Sequence, residues 1–164
     1  MTSILFICMG NICRSPVVEA VARAEFARAG LDIHVASAGI EDYHIGRGAD
    51  RRAIDSARAH GYDVSAHRAQ QVNAAMLGEY DAVLAMDDRN MRELATVVQR
   101  EHVPRLALFL PFAGLDTPRE VPDPYYGAAH DFEHVIELAK SGVNGLIRRY
   151  ALAHNIGVPT GKSR

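Results

Sequence analysis

Residues 6–16, Phe6-Ile7-Cys8-Met9-Gly10-Asn11-Ile12-Cys13-Arg14-Ser15-Pro16, run from the end of an apolar segment through a turn into the start of a helix. Ser3 to Ile7 supply the β-branched and aromatic residues of a short strand, and Ser15-Pro16 reads as an N-cap followed by proline at the first helical position. Cys8 therefore falls at the carboxyl end of a strand and faces a helix N-terminus. Open α/β sheets bind ligands at that end, and the free N–H groups and positive dipole of a helix start favour an anion.

Five residues, Met9, Gly10, Asn11, Ile12 and Cys13, separate Cys8 from Arg14. A loop of that length lets successive backbone N–H groups encircle one tetrahedral oxyanion, while the guanidinium grips two of its oxygens. The same donors favour a thiolate at Cys8, and thiolate is the nucleophilic form. Taken alone, a cysteine at a strand end is an ordinary small buried hydrophobe. In one frame with Gly10, Asn11, Arg14, Ser15 and Pro16, it reads as a nucleophile for phosphoryl transfer.

Outward from this loop the chain alternates strands and helices. A helix from Pro16 to about Ala29 stops at Gly30, a strand covers Ile33 to Ser37, and Ala38-Gly39 opens a turn-rich loop through Gly48. Asp50 caps a helix to about His60, and a shorter helix lies near Asn73 to Gly78. Ala82 to Met86 is an apolar run suited to a central strand, followed by Asp87-Asp88 and a helix to roughly Arg100. Leu106 to Leu110 makes a fourth strand, Pro111 to Gly127 a long surface loop, and Asp131 to His154 the last helix. The expected fold is α/β: a single-domain four-stranded parallel sheet flanked by helices, with the phosphate-binding loop after the first strand. Residues 1–154 form the expected domain and 155–164 a flexible tail.

Composition narrows the function. The 164 residues are 48% hydrophobic with a net charge of −2 and both signs interspersed, so there is no basic stripe for nucleic acid and no polybasic anchor for a membrane. The N-terminal apolar run is too short for a signal peptide or a membrane span, which points to the cytoplasm. Two cysteines five positions apart make a poor structural staple and fit a reducing compartment. His130 and His134 have helical i, i+4 spacing but no third ligand, and thiol-based phosphoryl transfer needs no metal, so neither metal nor cofactor is expected.

Phosphoryl transfer off an oxygen also needs an acid. Asp123, in Val121-Pro122-Asp123-Pro124-Tyr125-Tyr126-Gly127, is the best candidate, its loop stiffened by two prolines. Spacing alone fits equally well an Asp-Pro that starts a turn.

The stretch from Cys8 to Pro16 closely resembles the active-site loop of the low-molecular-weight protein tyrosine phosphatases of bacterial type, and the chain has their length and order of elements. Asp-Pro-Tyr-Tyr-Gly at 123–127 resembles their general-acid loop, which implies that Asp123 is the acid and that Tyr125 and Tyr126 wall the cleft. Tyr43 falls where the family places another wall residue. Asn11, Ser15, Ser37 and His67 resemble the residues that hydrogen-bond the phosphate loop into shape, and Asp87 resembles an acidic residue beneath it. Each also has a plainer reading: Ser15 as N-cap, His67 as a satisfied histidine, Asp87 as a helix cap, Tyr43 as a loop aromatic. Gln70 stands where family members more usually have arginine, which touches local ion pairing rather than catalysis.

The resemblance implies hydrolysis of phosphotyrosine through a cysteinyl-phosphate, with Cys8 as nucleophile and Arg14 as phosphate clamp. It implies phosphotyrosine-bearing proteins as partners, with a bacterial tyrosine kinase as one candidate, and a monomer or weak dimer. A protein-arginine phosphatase is the nearest alternative, yet such members resemble one another in having threonine where Ile12 stands and no paired tyrosines. Arsenate reductases use additional downstream cysteines that are absent here. A non-catalytic phosphopeptide-binding module would be expected to have lost Cys8, Arg14 or Asp123.

Overall fold

The computed structural model describes residues 1–157, so the expected flexible tail lies, from residue 158 on, outside the described residues. Four parallel strands, β1 (Ser3–Cys8), β2 (His34–Gly39), β3 (Ala82–Ala85) and β4 (Leu106–Leu108), form one sheet in the order β2-β1-β3-β4. Six helices surround it: α1 (Arg14–Arg28), α2 (Arg51–Ala59), α3 (Ala74–Glu79), α4 (Asp88–Ala95), α5 (Phe109–Phe112) and α6 (Ala129–Ala153). Among the described residues no helix is long and apolar enough to cross a membrane.

The continuous apolar run of β1 follows from its central place. Ile4, Leu5, Phe6 and Ile7 are fully buried because both faces of the strand are covered. Ile4, Phe6 and Cys8 face a core shared with Val18 and Val21 of α1 and Val143 and Leu146 of α6, while Leu5 and Ile7 meet Leu77 of α3 and Leu94 of α4. Each such side chain contributes roughly 1.5–3 kcal/mol of burial, which holds the carboxyl end of β1, and hence Cys8, in place. The long helix α6 lies close against α5 because it carries glycine at the contact. A Cβ on Gly142 would stand 2.3 Å from the Phe109 ring, and one on Gly145 would stand 2.1 Å from the Ala113 carbonyl oxygen.

Several elements differ from the sequence expectation, each for a local reason. Helix α1 starts at Arg14 with Cys13 in the cap position, so Ser15 is not the N-cap; its hydroxyl is engaged by Cys8 and Asn11 instead. Strand β2 continues to Gly39, which pairs with Cys8 rather than opening the loop. Helix α4 ends at Ala95 because Val97 and Val98 turn back onto the second core, both amides donating to the Leu94 carbonyl. Strand β4 is only three residues long, and Phe109 and Leu110 instead begin α5, where Pro111 fits a first turn that needs no N–H from it. Helix α6 begins at Ala129, with the Asp131 carboxylate accepting the Ala128 amide at 2.7 Å.

Candidate active site

At the carboxyl end of the sheet a cleft of about 330 Å³ opens over the loop from Cys8 to Arg14. Its lining comprises Cys8, Met9, Gly10, Ile12, Cys13 and Arg14 from the loop, Glu41, Tyr43 and His44 from the segment after β2, Arg89 from α4, and Asp123, Tyr125 and Tyr126 from the loop before α6. Topology explains the gathering. Strands β2 and β3 flank β1, so the segments that leave their carboxyl ends necessarily border whatever sits at the end of β1.

The loop is shaped around Asn11, which is fully buried and adopts a left-handed φ of 57°, a conformation asparagine tolerates better than most residues. Its amide nitrogen Nδ2 donates to the hydroxyls of Ser15 (2.8 Å) and Ser37 (2.9 Å), and its Oδ1 accepts the backbone N–H of Gln70 at 3.0 Å. Its carbonyl accepts from His67 Nε2 at 2.7 Å, and its own N–H reaches Cys8 Sγ at 3.3 Å. Burial holds the His67 imidazole below its usual pKa despite the bond to Asn11, so the ring stays neutral and its Nε2–H is the donor. Gln70 is uncharged, and its side-chain amide donates to the Ser37 carbonyl at 2.9 Å.

Cys8 is buried, with Ser15 Oγ 2.9 Å from its sulfur. The N–H groups of Gly10, Ile12 and Cys13 donate to no group among the described residues, and Cys13 caps α1 without a side-chain hydrogen bond. These donors are available to an anion at the cleft floor. Cys13 is a free thiol like Cys8, and burial, reinforced by Asp50 and Cys8, pushes it well above the usual thiol range. Both influences oppose the thiolate form at Cys13.

Arg14 is almost wholly buried, which opposes its charge, but Cys8 and the hydrogen-bonded carboxylate of Asp87 outweigh that and hold its pKa above the ordinary value. Nη1 donates to Asp87 Oδ2 at 2.5 Å and to the Val121 carbonyl at 3.0 Å, and Nη2 lies 3.7 Å from Asp123 Oδ2. Asp87 makes two sets of contacts at once. Its Oδ1 accepts the Asn90 amide at 2.8 Å as the cap of α4, while Oδ2 fixes Arg14. The Asp123 side chain is half exposed over the cleft, and its Oδ1 accepts the Tyr125 amide at 3.1 Å. Tyr43 and Tyr126 are largely exposed at the rim, and Tyr125 packs edge-on against Tyr126.

Of the residues singled out for phosphoryl transfer, Cys8, Met9, Gly10, Ile12, Cys13, Arg14, Tyr43, Asp123, Tyr125 and Tyr126 line this cleft, and Asn11, Ser15, Ser37, His67 and Asp87 lie behind it, hydrogen-bonded to the loop. Sequence reasoning missed Glu41, His44 and Arg89 on its wall and the Val121 carbonyl beneath Arg14; the first three carry no signal beyond adjacency to Tyr43 and Asp87. It also misread Gly39. A Cβ there would stand 2.9 Å from the Met9 carbonyl oxygen and 3.0 Å from the Asn11 amide nitrogen, so glycine lets β2 run against the loop. Gly39→Ala is expected to displace residues 9–11 by a few tenths of an ångström and lower kcat about tenfold, since near-attack geometry is sensitive at that scale. Steady-state kinetics equal to those of the parent protein would show that the loop yields without cost.

His130 and His134 are exposed on α6 and outside the cleft. Among the described residues the group whose ligand atoms cluster closely enough for a metal is His60, Glu133 and Glu137, where the end of α2 meets α6, also outside the cleft. His60 is hydrogen-bonded to Glu133 there, an interhelical tie.

Comparison with known proteins identifies the family. Residues 3–156 match the family model described as low molecular weight phosphotyrosine protein phosphatase. The chain is 37% identical over 152 residues to the low molecular weight protein-tyrosine-phosphatase YfkJ of Bacillus subtilis, covering 90% of this chain and 94% of that one. It is 39% identical over 146 residues to the low molecular weight protein-tyrosine phosphatase A of Mycobacterium tuberculosis, covering 87% and 88%. The solved structure of Vibrio vulnificus Wzb in complex with benzylphosphonate superposes with a TM-score of 0.80 at 32% identity, over 90% of this chain and 98% of that one. With a family model spanning nearly its whole length and relatives above 30% identity, the chain belongs to the low molecular weight phosphotyrosine protein phosphatase family.

Proposed function

We propose that this family member hydrolyses phosphotyrosine in proteins through a cysteinyl-phosphate on Cys8. The observation that carries the reading is the convergence of Cys8, the undonated loop amides and Arg14 at the floor of one cleft with Asp123 over it. The Cys8 thiolate attacks phosphorus in line, forming the S–P bond as the P–O bond to the tyrosyl oxygen breaks, and Asp123 protonates that oxygen. Loop amides and the Arg14 guanidinium stabilise the charge spread over the equatorial oxygens. Asp123, now a carboxylate, takes a proton from water as its oxygen attacks phosphorus, and the S–P bond breaks to give phosphate. Ser15, 2.9 Å from the sulfur, donates to the departing thiolate.

Tyr43, Tyr125 and Tyr126 supply aromatic walls for the substrate ring, whereas a phosphoserine stem is too short to bring phosphorus to Cys8 while touching them. The benzylphosphonate bound by the Vibrio relative is likewise an aromatic ring on a phosphorus oxyacid. Ile12 and the paired tyrosines favour tyrosine over arginine phosphate, and two cysteines in the whole chain leave none for an electron relay. The two free thiols suit action in the cytoplasm, and a tyrosine kinase is one candidate among the phosphotyrosine-bearing partners.

The test is hydrolysis of matched phosphotyrosine, phosphoserine and phosphoarginine peptides without added metal, with phosphotyrosine expected to win. In the same assay Asp123→Ala should slow phosphotyrosine by about 100-fold or more, and a highly activated aryl phosphate far less, because its leaving group needs no proton. The same fractional loss for both leaving groups would remove Asp123 from the acid's role.

A further inference from the structure

We infer that Arg52, on the first turn of α2, is the positioning residue that ties the Asp123 loop to the phosphate loop and sets the acid at its working height over Cys8. The inference rests on Asp123 acting as the acid. Val121 anchors the start of the acid loop, its N–H donating to the Met86 carbonyl at 2.8 Å and its carbonyl accepting Arg14 Nη1. Beyond Asp123 the next anchor is different. Arg52 Nη2 donates to the Tyr125 carbonyl at 3.0 Å, and Tyr125 in turn holds Asp123 Oδ1 through its own amide.

The same guanidinium also reaches the phosphate loop, through Asp50. Arg52 Nε and Nη2 grip both oxygens of Asp50 at 3.0 Å each, a bidentate pair, and the backbone N–H of Asp50 donates to the Ile12 carbonyl at 2.8 Å. The hydrogen bonds from Arg52 hold the Asp50 carboxylate below its usual range in spite of partial burial, so the pair is charged at neutral pH. A continuous line of bonds therefore runs from Ile12 through Asp50, Arg52 and Tyr125 to Asp123.

The brace has a firm base. The Arg52 guanidinium carbon lies 4.5 Å from the centre of the Phe132 ring on α6 and 5.6 Å from that of Tyr125, within cation–π range of both. At its far end α2 is held to α6 by the bond between His60 and Glu133. The Asp123 side chain is itself half exposed, so its height over the cleft follows from where its loop is pinned.

The experiment measures kcat/KM for a series of aryl phosphates of rising leaving-group pKa, together with inhibition by inorganic phosphate, for the parent protein, Arg52→Ala, Arg52→Lys and Asp123→Ala. Arg52→Ala should lower kcat/KM for the least acidic leaving groups about 10- to 100-fold, as ångström-scale misplacement does. It should barely change the most activated ester or the phosphate inhibition constant. Arg52→Lys keeps the charge but loses the planar fork, and should lie between the two. Equal losses across the series, or weakened phosphate inhibition, would mean that Arg52 only supports the phosphate loop and would overturn the inference. So would unchanged kinetics. A flat leaving-group response in Asp123→Ala would instead strike at the acid assignment, while a steep response there with a flat one in both Arg52 variants would strike at the brace alone. Should Arg52→Ala not fold, the decision passes to Arg52→Lys, whose thermal midpoint is measured alongside.

Discussion

Cys8→Ser is expected to eliminate turnover of phosphotyrosine, a fall on the order of 10⁶-fold, the scale of loss when a covalent nucleophile is deleted. Serine is nearly isosteric, so Ser15 and the Asn11 amide keep their partner, but an alcohol stays protonated where a thiol ionises. Cys13→Ser is the matched control, since Cys13 lines the same cleft and is equally buried, yet its thiol is held protonated by burial and by the charges of Asp50 and Cys8. Under reducing conditions it should keep most of its activity per folded molecule. Equal and severe losses in the two variants would defeat the assignment of the nucleophile. Rapid quenching of the parent protein, with mass spectrometry of the loop peptide, should find the phosphoryl group on Cys8.

The second large effect belongs to Arg14→Lys, expected to lower kcat by about 10²- to 10³-fold, the range for losing one preorganised donor to a developing oxyanion. Charge alone does not rescue the site. The guanidinium serves Asp87, the Val121 carbonyl and the cleft with separate N–H groups, whereas a single ammonium cannot span them. Because Asp87 acts on the cleft through Arg14, Asp87→Asn should cost much in the parent protein and little more in the Arg14→Lys background, a non-additivity that a double-mutant cycle measures. A lysine variant within a few-fold of the parent, or strict additivity with Asp87→Asn, would show that the clamp is not what Arg14 provides.

The sheet and the loop were legible because their signals are local. An apolar run of β-branched residues, a turn with glycine and asparagine, and a helix start with proline lie within one stretch, and the alternation of strand and helix leaves few topologies. Asp123, Tyr125, Tyr126 and Tyr43 take their roles through resemblance to the family's loops, because the prolines and aromatics by themselves fit an ordinary turn equally well. What was not legible depends on close approach between distant segments. Gly39 read as a loop opener because nothing in its neighbourhood says that the Met9 carbonyl will lie against it. Gly142 and Gly145 look like weak points in a long helix until Phe109 and Ala113 are seen to fill the space. Ser15 read as a cap because serine before proline is usually one, whereas the competing partners of its hydroxyl, Cys8 and Asn11, are supplied by the fold of the loop. Arg52 carried no signal at all, since its partners Tyr125 and Phe132 are more than seventy residues away along the chain.

Asn11 has one further consequence. Its carbonyl, its N–H, and both ends of its side-chain amide are engaged by Cys8, Ser15, Ser37, His67 and Gln70, so the dipoles of Asn11 and its partners are oriented once the chain has folded. In water, charge that gathers on an oxyanion must first turn the surrounding molecules, and that rotation is part of the barrier. Here the dipoles of the Asn11 network are set during folding, before a substrate arrives, so they need not turn as charge gathers. Aspartate, the residue nearest in shape, cannot substitute: in place of the amide that donates to two hydroxyls it would put a carboxylate oxygen, and a negative charge beside the sulfur. Asparagine at position 11 thus determines the polarity of the floor as well as its shape.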